Sequence, residues 1–372
     1  MRTAILLAVG ITLMWATACL GAGDINKSLG STKSTRNLEK LQIASKGKKM
    51  TVQGESLVLA GTIPGKLCFD SVAKGSVLVR STYKSDNEKC VVYREGVDYI
   101  LDYAKGTIAR TGESSIPDFS TNVLYGQKDF DHTKFPGATN HPFFVWVDYT
   151  TTNGRPWAKP SNQAQFLSKT RSKLKAGGPF KIVTYGDSIT SGGEVSEPGL
   201  TFASLYQKYL QRKFPAAQIE TRDVSIPGYC SAQGIEWWDK QMGDTSPDLV
   251  LLGWGMNDHN LPVGGGMEPD EFKKKLITLV GMVRERKGAE VILYSAFPPH
   301  DDWHYGTHRM GEFAEATRQA AAETRSAYVN VYDTWVMVLG RKDQSSLLGN
   351  NINHPNDFGH WLYGQAFEAM QF

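Results

Sequence analysis

Cysteine is scarce in this chain: four among 372 residues, at positions 19, 68, 90 and 230. They form no CxxC pair and no His/Cys cluster with metal-ligand spacing, so nothing argues for zinc, and no metal or cofactor is expected. Charge of one sign is also lacking. With 41 basic and 38 acidic residues the formal charge is +3, and no nucleic-acid partner is expected from so even a balance. The longest apolar run near the start, Ala4 to Trp15, is too short to span a bilayer comfortably. No internal repeat or low-complexity tract stands out.

What is present at the start reads as an export signal. Arg2 is a short positive region, Ala4 to Trp15 the apolar one, and Ala16-Thr17-Ala18 the small residues before Cys19. Cleavage after Ala18 would leave Cys19 at the new N-terminus. The arrangement resembles a bacterial lipoprotein signal, with Ala16 where leucine is usual. The expected product is secreted, periplasmic or lipoprotein-anchored through Cys19. In an oxidising compartment Cys68 and Cys90 could pair across a hairpin, which would stabilise by roughly 3 kcal/mol. Two buried free thiols are the equal alternative, and Cys230 is left unpaired.

At 41% hydrophobic and 11% aromatic, the chain has material for packed cores, and its length suits two domains. Residues 19–49, rich in Ser, Lys, Gly and Asn, read as a flexible tether after a leader at 1–18. From 50 to 152 short runs rich in Val, Tyr, Thr and Ile alternate with turn clusters. Ser56–Ala60, Ser76–Arg80, Cys90–Tyr93 and Phe143–Tyr149 are the clearest, which predicts a β-sandwich or jelly roll. Asp129 to Gly137 reads as a long ordered loop. Residues 153–179 read as a linker with one helix around Ala164 to Leu174.

Beyond 180 strand-like and helix-like segments alternate. Strands are predicted at Lys181–Tyr185, Gln218–Val224, Asp248–Gly253, Glu290–Ser295 and Tyr328–Tyr332. Helices are predicted at Thr201–Phe214, Ser231–Gln241, Pro269–Lys287 and Met310–Arg325, with a last one from Asn356 onward. This alternation implies α/β architecture, a parallel sheet in a three-layer α/β/α stack over 180–372.

Four short motifs follow those strands or lie near the C-terminus. Gly186-Asp187-Ser188 closes the first strand, and Gly228 comes after the second. Gly255-Met256-Asn257-Asp258 follows the third, and His354-Pro355-Asn356-Asp357 opens the final helix. In this order they resemble the SGNH (GDSL-type) hydrolases, over roughly residues 180–372. The resemblance implies a flavodoxin-like fold and acyl-ester hydrolysis. Ser188 would be the nucleophile and His354 the base, with Ser188, Gly228 and Asn257 as oxyanion donors. Cys230, Asp187 and His360 read as structural.

One departure stands out. Such families carry Asp three residues before the histidine, and here that residue is Asn351. Asn→Asp differences matter at this position: the converse change in a serine protease lowers turnover by about 10⁴. Three readings compete: a dyad with Asn351 or a backbone carbonyl as orienter, which is favoured, a carboxylate from another loop such as Asp301 or Asp302, and a weakened enzyme. His300, His304 and His308 are spaced for one helical face, but Pro298-Pro299 and Gly306 argue against a helix there. A loop lining the active-site mouth is expected instead, with Trp303 and Tyr305 as sugar-stacking candidates. The expected protein is thus an exported serine esterase acting on acyl esters of carbohydrate, O-acetyl above all, as similar two-domain members are. A lipase or lysophospholipase-like enzyme, with aromatics near Trp237-Trp238 at its mouth, is one alternative. A catalytically weakened glycan-binding surface protein is another.

Overall fold

The computed structural model describes residues 47–261 and 265–372. The leader at 1–18 lies outside the described residues, as does the tether at 19–49 apart from its last three. Those last residues are not tether: the first strand already begins at Lys48.

Alternation of apolar and polar residues builds seven N-terminal strands: β1 (Lys48–Leu57), β2 (Gly65–Lys66), β3 (Leu78–Arg80), β4 (Val92–Tyr93), β5 (Tyr99–Asp102), β6 (Thr107–Arg110) and β7 (Val145–Gly154). They pair as two antiparallel sheets, in orders β1-β7-β3-β4 and β2-β6-β5. The long pair β1–β7 runs from Lys48↔Gly154 to Leu57↔Val145, with a register shift between Val52 and Glu55. Between β6 and β7 the chain makes single turns of 3-10 helix at Phe119–Thr121, His132–Lys134 and His141–Phe143. Asp118 and Asp131 cap the first two by accepting the Ser120 and Thr133 amides, an N-cap role typical of Asp.

The remaining strands are β8 (Ser161–Asn162), β9 (Gly178–Gly186), β10 (Ala217–Asp223), β11 (Leu249–Gly253), β12 (Glu290–Tyr294), β13 (Ala327–Val329) and β14 (Met370–Gln371). The helices are α1 (Ser168–Ala176), α2 (Phe202–Lys213), α3 (Ser231–Glu236), α4 (Trp238–Met242), α5 (Met256–His259), α6 (Pro269–Lys287), α7 (Met310–Glu323), α8 (Val331–Leu339) and α9 (Asp357–Ala369). Strands β9 to β13 form one parallel sheet in order β10-β9-β11-β12-β13. Numbered within this part the order is 2-1-3-4-5, the flavodoxin-like winding, whose ligands sit at the carboxyl ends of the strands. Strand β11 is buried at every residue, as a central strand covered on both faces must be.

Helix α8 and several short elements were not expected, and two expected segments end early or break. The predicted fifth strand stops at Val329, because the Asn330 side chain accepts the Asp333 amide and caps α8. The predicted helix over Ser231–Gln241 breaks at Trp237 into α3 and α4.

One hydrophobic core runs through both regions, from Val52 in β1 to Met370 in β14. Polar ties cross the same boundary. Glu55 of β1 and Lys342 after α8 pair at 2.7 Å with both side chains fully buried. Tyr149 Oη and the Cys68 amide also donate to Glu55. Ser56 donates to the Ser346 carbonyl, and Asn356 Nδ2 donates to that same oxygen.

Candidate active site

Three neighbouring strands converge on the site. Gly186 at the end of β9 pairs with Gly253 at the end of β11, and Thr184 pairs with Asp223 at the end of β10. Ser188, Asn257 and Gly228 therefore follow adjacent strand ends on one edge of the sheet. Past Gly186 the chain cannot continue as strand. The Asp187 carboxylate accepts the Ile189 amide at 3.0 Å, and the Ser188 carbonyl accepts the Gly193 amide at 2.9 Å. The resulting tight loop leaves Ser188 only 8% exposed.

Ser188 Oγ lies 2.8 Å from Nε2 of His354. The histidine comes from the loop before α9, held by three amides on Asn350 Oδ1 (Ile352, Asn353 and His354). Its other ring nitrogen, Nδ1, faces Glu194, 3.9 Å from Oε1. The second carboxylate oxygen, Oε2, is 2.7 Å from His141 Nε2. The two histidines together hold the Glu194 carboxyl down to about 2, His141 first and His354 next. Glu194 is thus an anion at any ordinary pH. Facing it, the Nδ1–H tautomer of His354 is favoured, which leaves Nε2 to accept the Ser188 proton. Glu194 adopts φ +69°, a left-handed conformation that costs a non-glycine residue on the order of 1 kcal/mol. Strain of this kind gathers at functional sites.

The expected orienter is corrected by this arrangement. Asn351 is 2% exposed, and its Oδ1 accepts from Asn140 Nδ2 at 2.9 Å. Among the described residues it makes no hydrogen bond to His354. The Asp301 and Asp302 carboxylates are engaged elsewhere, accepting from Gln344 Nε2 and Lys128 Nζ. The carboxylate facing the histidine is Glu194, six positions past the serine. It follows Ser191-Gly192-Gly193, directly after the Gly-Asp-Ser motif, with no distinctive spacing of its own. His141, from the N-terminal region, had no sequence signal either.

The oxyanion candidates fit in part by direct geometry. Gly228 sits exposed at φ +81°, a backbone conformation that suits glycine. Among the described residues neither its N–H nor that of Ser188 has an acceptor. Asn257 is 5% exposed, and its Nδ2 donates to the Tyr229 carbonyl at 2.9 Å. An amide NH2 carries two protons, and among the described residues that carbonyl is the one acceptor it meets. Asn257 Oδ1 accepts from Asn260 Nδ2 at 3.2 Å, which fixes the side chain's orientation.

Buried groups beneath the site hold its loops. Burial raises the Asp187 carboxyl to about 7 and that of Asp258 to about 6. Asp258 accepts the Ser231 and Gly255 amides, and so ties α3 to α5. His360 is fully buried, and burial lowers it to about 3, so its ring is neutral. Its Nδ1 accepts the Phe202 amide at 3.3 Å, and its Nε2 lies 3.4 Å from the Gly193 carbonyl. Gly193 in turn lies against His354: a Cβ there would stand 3.0 Å from Nδ1. His360 is buried and reads as structural, and through Gly193 it fixes the floor under the His354 ring.

The sugar-stacking expectation is corrected as well. Trp303 is 4% exposed, and its indole N–H donates to His132 Nδ1 at 3.1 Å. It packs with Leu124 and Phe130 in a small core of its own. Tyr305 is half-buried, edge-on to His132 and to Trp303. These rings join two loops and present no free face at Trp303. Trp238 is also buried, against Tyr185, and cannot line a mouth. His300 and His304 turn apart, toward Ser345 and Asp129. Cys68, Cys90 and Cys230 are free thiols, so the possible 68–90 bridge is not formed.

The sequence profile of the GDSL-like Lipase/Acylhydrolase family matches residues 184–362. Over those residues, just under half of the chain, the sequence is similar to that family of ester hydrolases. No curated protein matches the chain. Among solved structures it is similar to a two-domain esterase active on acetylated mannans, at 22% identity and a TM-score of 0.46, covering 57% of this chain and 53% of that one. The match thus spans about half the length of that esterase. It is also similar to an acetylxylan esterase from Geobacillus stearothermophilus, at 23% identity and a TM-score of 0.45, covering 53% of this chain and 97% of that one.

Proposed function

We propose that this protein is an exported esterase that removes acyl groups, O-acetyl above all, from carbohydrate, through a Ser188–His354–Glu194 centre. The observation that carries the reading is the 2.8 Å contact of Ser188 Oγ with His354 Nε2, with an anionic carboxylate behind the ring. Ser188 Oγ attacks the ester carbonyl while its proton passes to His354 Nε2. The oxyanion is met by the Ser188 and Gly228 amides and by the second N–H of Asn257. As the tetrahedral intermediate collapses, the alcohol leaves with the proton from His354. Water, deprotonated by the same nitrogen, then releases the acid and restores Ser188. Glu194 stabilises the imidazolium throughout.

Glu194 supports an active centre over a weakened one, since a carboxylate faces His354 although position 351 carries none. The carbohydrate part of the reading rests on the layout of the chain: an export leader and an N-terminal β region ahead of the hydrolase domain. The leader-like residues 1–18 support export, and Cys19 would supply a lipid anchor if it is acylated after cleavage.

The test is hydrolysis of p-nitrophenyl acetate, longer acyl esters and acetylated polysaccharide by the purified chain beside Ser188→Ala. Serine-dependent release of acetate from polysaccharide is the expected result. Preference for long acyl chains would favour the lipase reading. Equal inactivity of wild type and Ser188→Ala on every ester would favour a glycan-binding protein.

A further inference from the structure

The carboxylate behind the catalytic histidine is itself gripped from outside the hydrolase domain. Asn140 and His141 precede β7 in the N-terminal region, at one turn of 3-10 helix. Asn140 is fully buried and reaches into the loop that carries His354. Its amide donates to the Gly349 carbonyl at 2.7 Å, and its Nδ2 lies within 3.1 Å of the Ser345 and Leu348 carbonyls and of Asn351 Oδ1. Asn122 Nδ2 donates to Asn140 Oδ1 at 3.1 Å and fixes that amide's orientation.

The next residue, His141, meets Glu194 at 2.7 Å. An ionised carboxylate only accepts, so the proton of this contact is on His141 Nε2. Gly349 makes the approach possible: a Cβ there would stand 2.5 Å from Glu194 Cβ and 3.0 Å from His141 Nε2. The Glu194 carboxylate is thus shared, one oxygen to His141 and the other toward His354.

We infer that His141 is a positioning residue for the ester hydrolysis proposed above: by fixing one oxygen of Glu194 it aims the other at His354. The N-terminal β region is then part of the catalytic centre, because it supplies one member of a Ser188–His354–Glu194–His141 chain. This inference rests on the Ser188–His354 reading.

The experiment uses the full chain and p-nitrophenyl acetate. His141→Ala is expected to lower kcat by about 10- to 100-fold, the range for residues that orient a functional group from behind, with KM unchanged. His141→Gln keeps an N–H donor and is expected to recover most of that loss. In a Glu194→Gln background, His141→Ala is expected to cost nothing further, since the two act as a unit.

Unchanged kcat in His141→Ala, or an equal additional loss in the Glu194→Gln background, would overturn the inference while leaving the esterase intact. If His141→Ala fails to fold, His141→Gln decides: loss of kcat as deep as in Glu194→Gln, in a folded protein, would overturn it. A wild type without Ser188-dependent turnover would instead overturn the proposed function, and this inference with it.

Discussion

Asn351 Oδ1 accepts a hydrogen bond from Asn140 Nδ2 at 2.9 Å, and this contact turns the residue three before His354 away from that ring. Asn351 holds φ +58°, which Asn tolerates better than most residues. Its role is to join the N-terminal region to the histidine loop. Asn351→Asp would bury a charge there with no cation beside it. The expected result is a loss of about 1–3 kcal/mol in urea denaturation and no gain in kcat. A rise of tenfold or more in kcat would return the orienting role to this position.

Asn257 is expected to act on the transition state alone. Asn257→Ala should lower kcat by about 10²–10³ with little change in KM, in a protein whose thermal midpoint stays near wild type. A change confined to KM would remove Asn257 from the oxyanion site.

Glu194 links the site to pH. Its carboxyl is lowered from the ordinary 4.5 to about 2 in the folded protein, by His141 first and His354 next. Between those values the unfolded chain binds more protons, so stability rises with pH through that window and is lost as pH falls through it. Subtracting the stability curve of Glu194→Gln from that of wild type should isolate this slope below about pH 4.5. Flat difference curves there would show that the carboxylate is not held by the two histidines. The same variant should lose up to about 10⁴ in kcat at neutral pH, as expected when an orienting carboxylate becomes an amide.

The Glu55–Lys342 pair offers a test away from the chemistry. Lys342→Met leaves a fully buried carboxylate without its cation and should cost about 3–5 kcal/mol. Glu55→Gln combined with Lys342→Met removes both charges and should recover much of that. The two urea midpoints check it: equal losses in the single and double variants would mean that packing around Lys342, and not charge, is what matters.

The parallel sheet was readable because each of its strands is a short apolar run followed by a helix of plain periodicity. Pro269–Lys287 matches the observed α6 at both ends, since proline opens it and Gly288, at φ +67°, closes it. Strand β13 ended early for a local reason, the Asn330 side-chain cap, which looks in sequence like any other polar residue. The N-terminal region was harder. The hairpin β5–β6 is four residues a side and half exposed, too short for periodicity to register. Ser188, Gly228, Asn257 and His354 could be singled out because, in this order behind strand ends, they resemble the motifs of the SGNH hydrolases. Glu194 was in view beside the nucleophile, but a carboxylate on a glycine loop has no distinctive spacing. His141 could not be found without coordinates, because its partner lies 53 positions away.

That sequence distance has a kinetic side. Strand β1 pairs with a strand about a hundred residues on, and Ser56 closes a contact with Ser346 across 290 positions. Contacts of such separation are slow to form, because the loop-closure entropy comes before the contact that rewards it. The loop bearing His354 takes its shape from Ser56 and Asn140, so it can be completed only when β1 and the turn at Asn140 have met residues 345–356. During refolding from urea, ellipticity should therefore return before esterase activity does. The unfinished species in that interval would expose the core-facing side of β1.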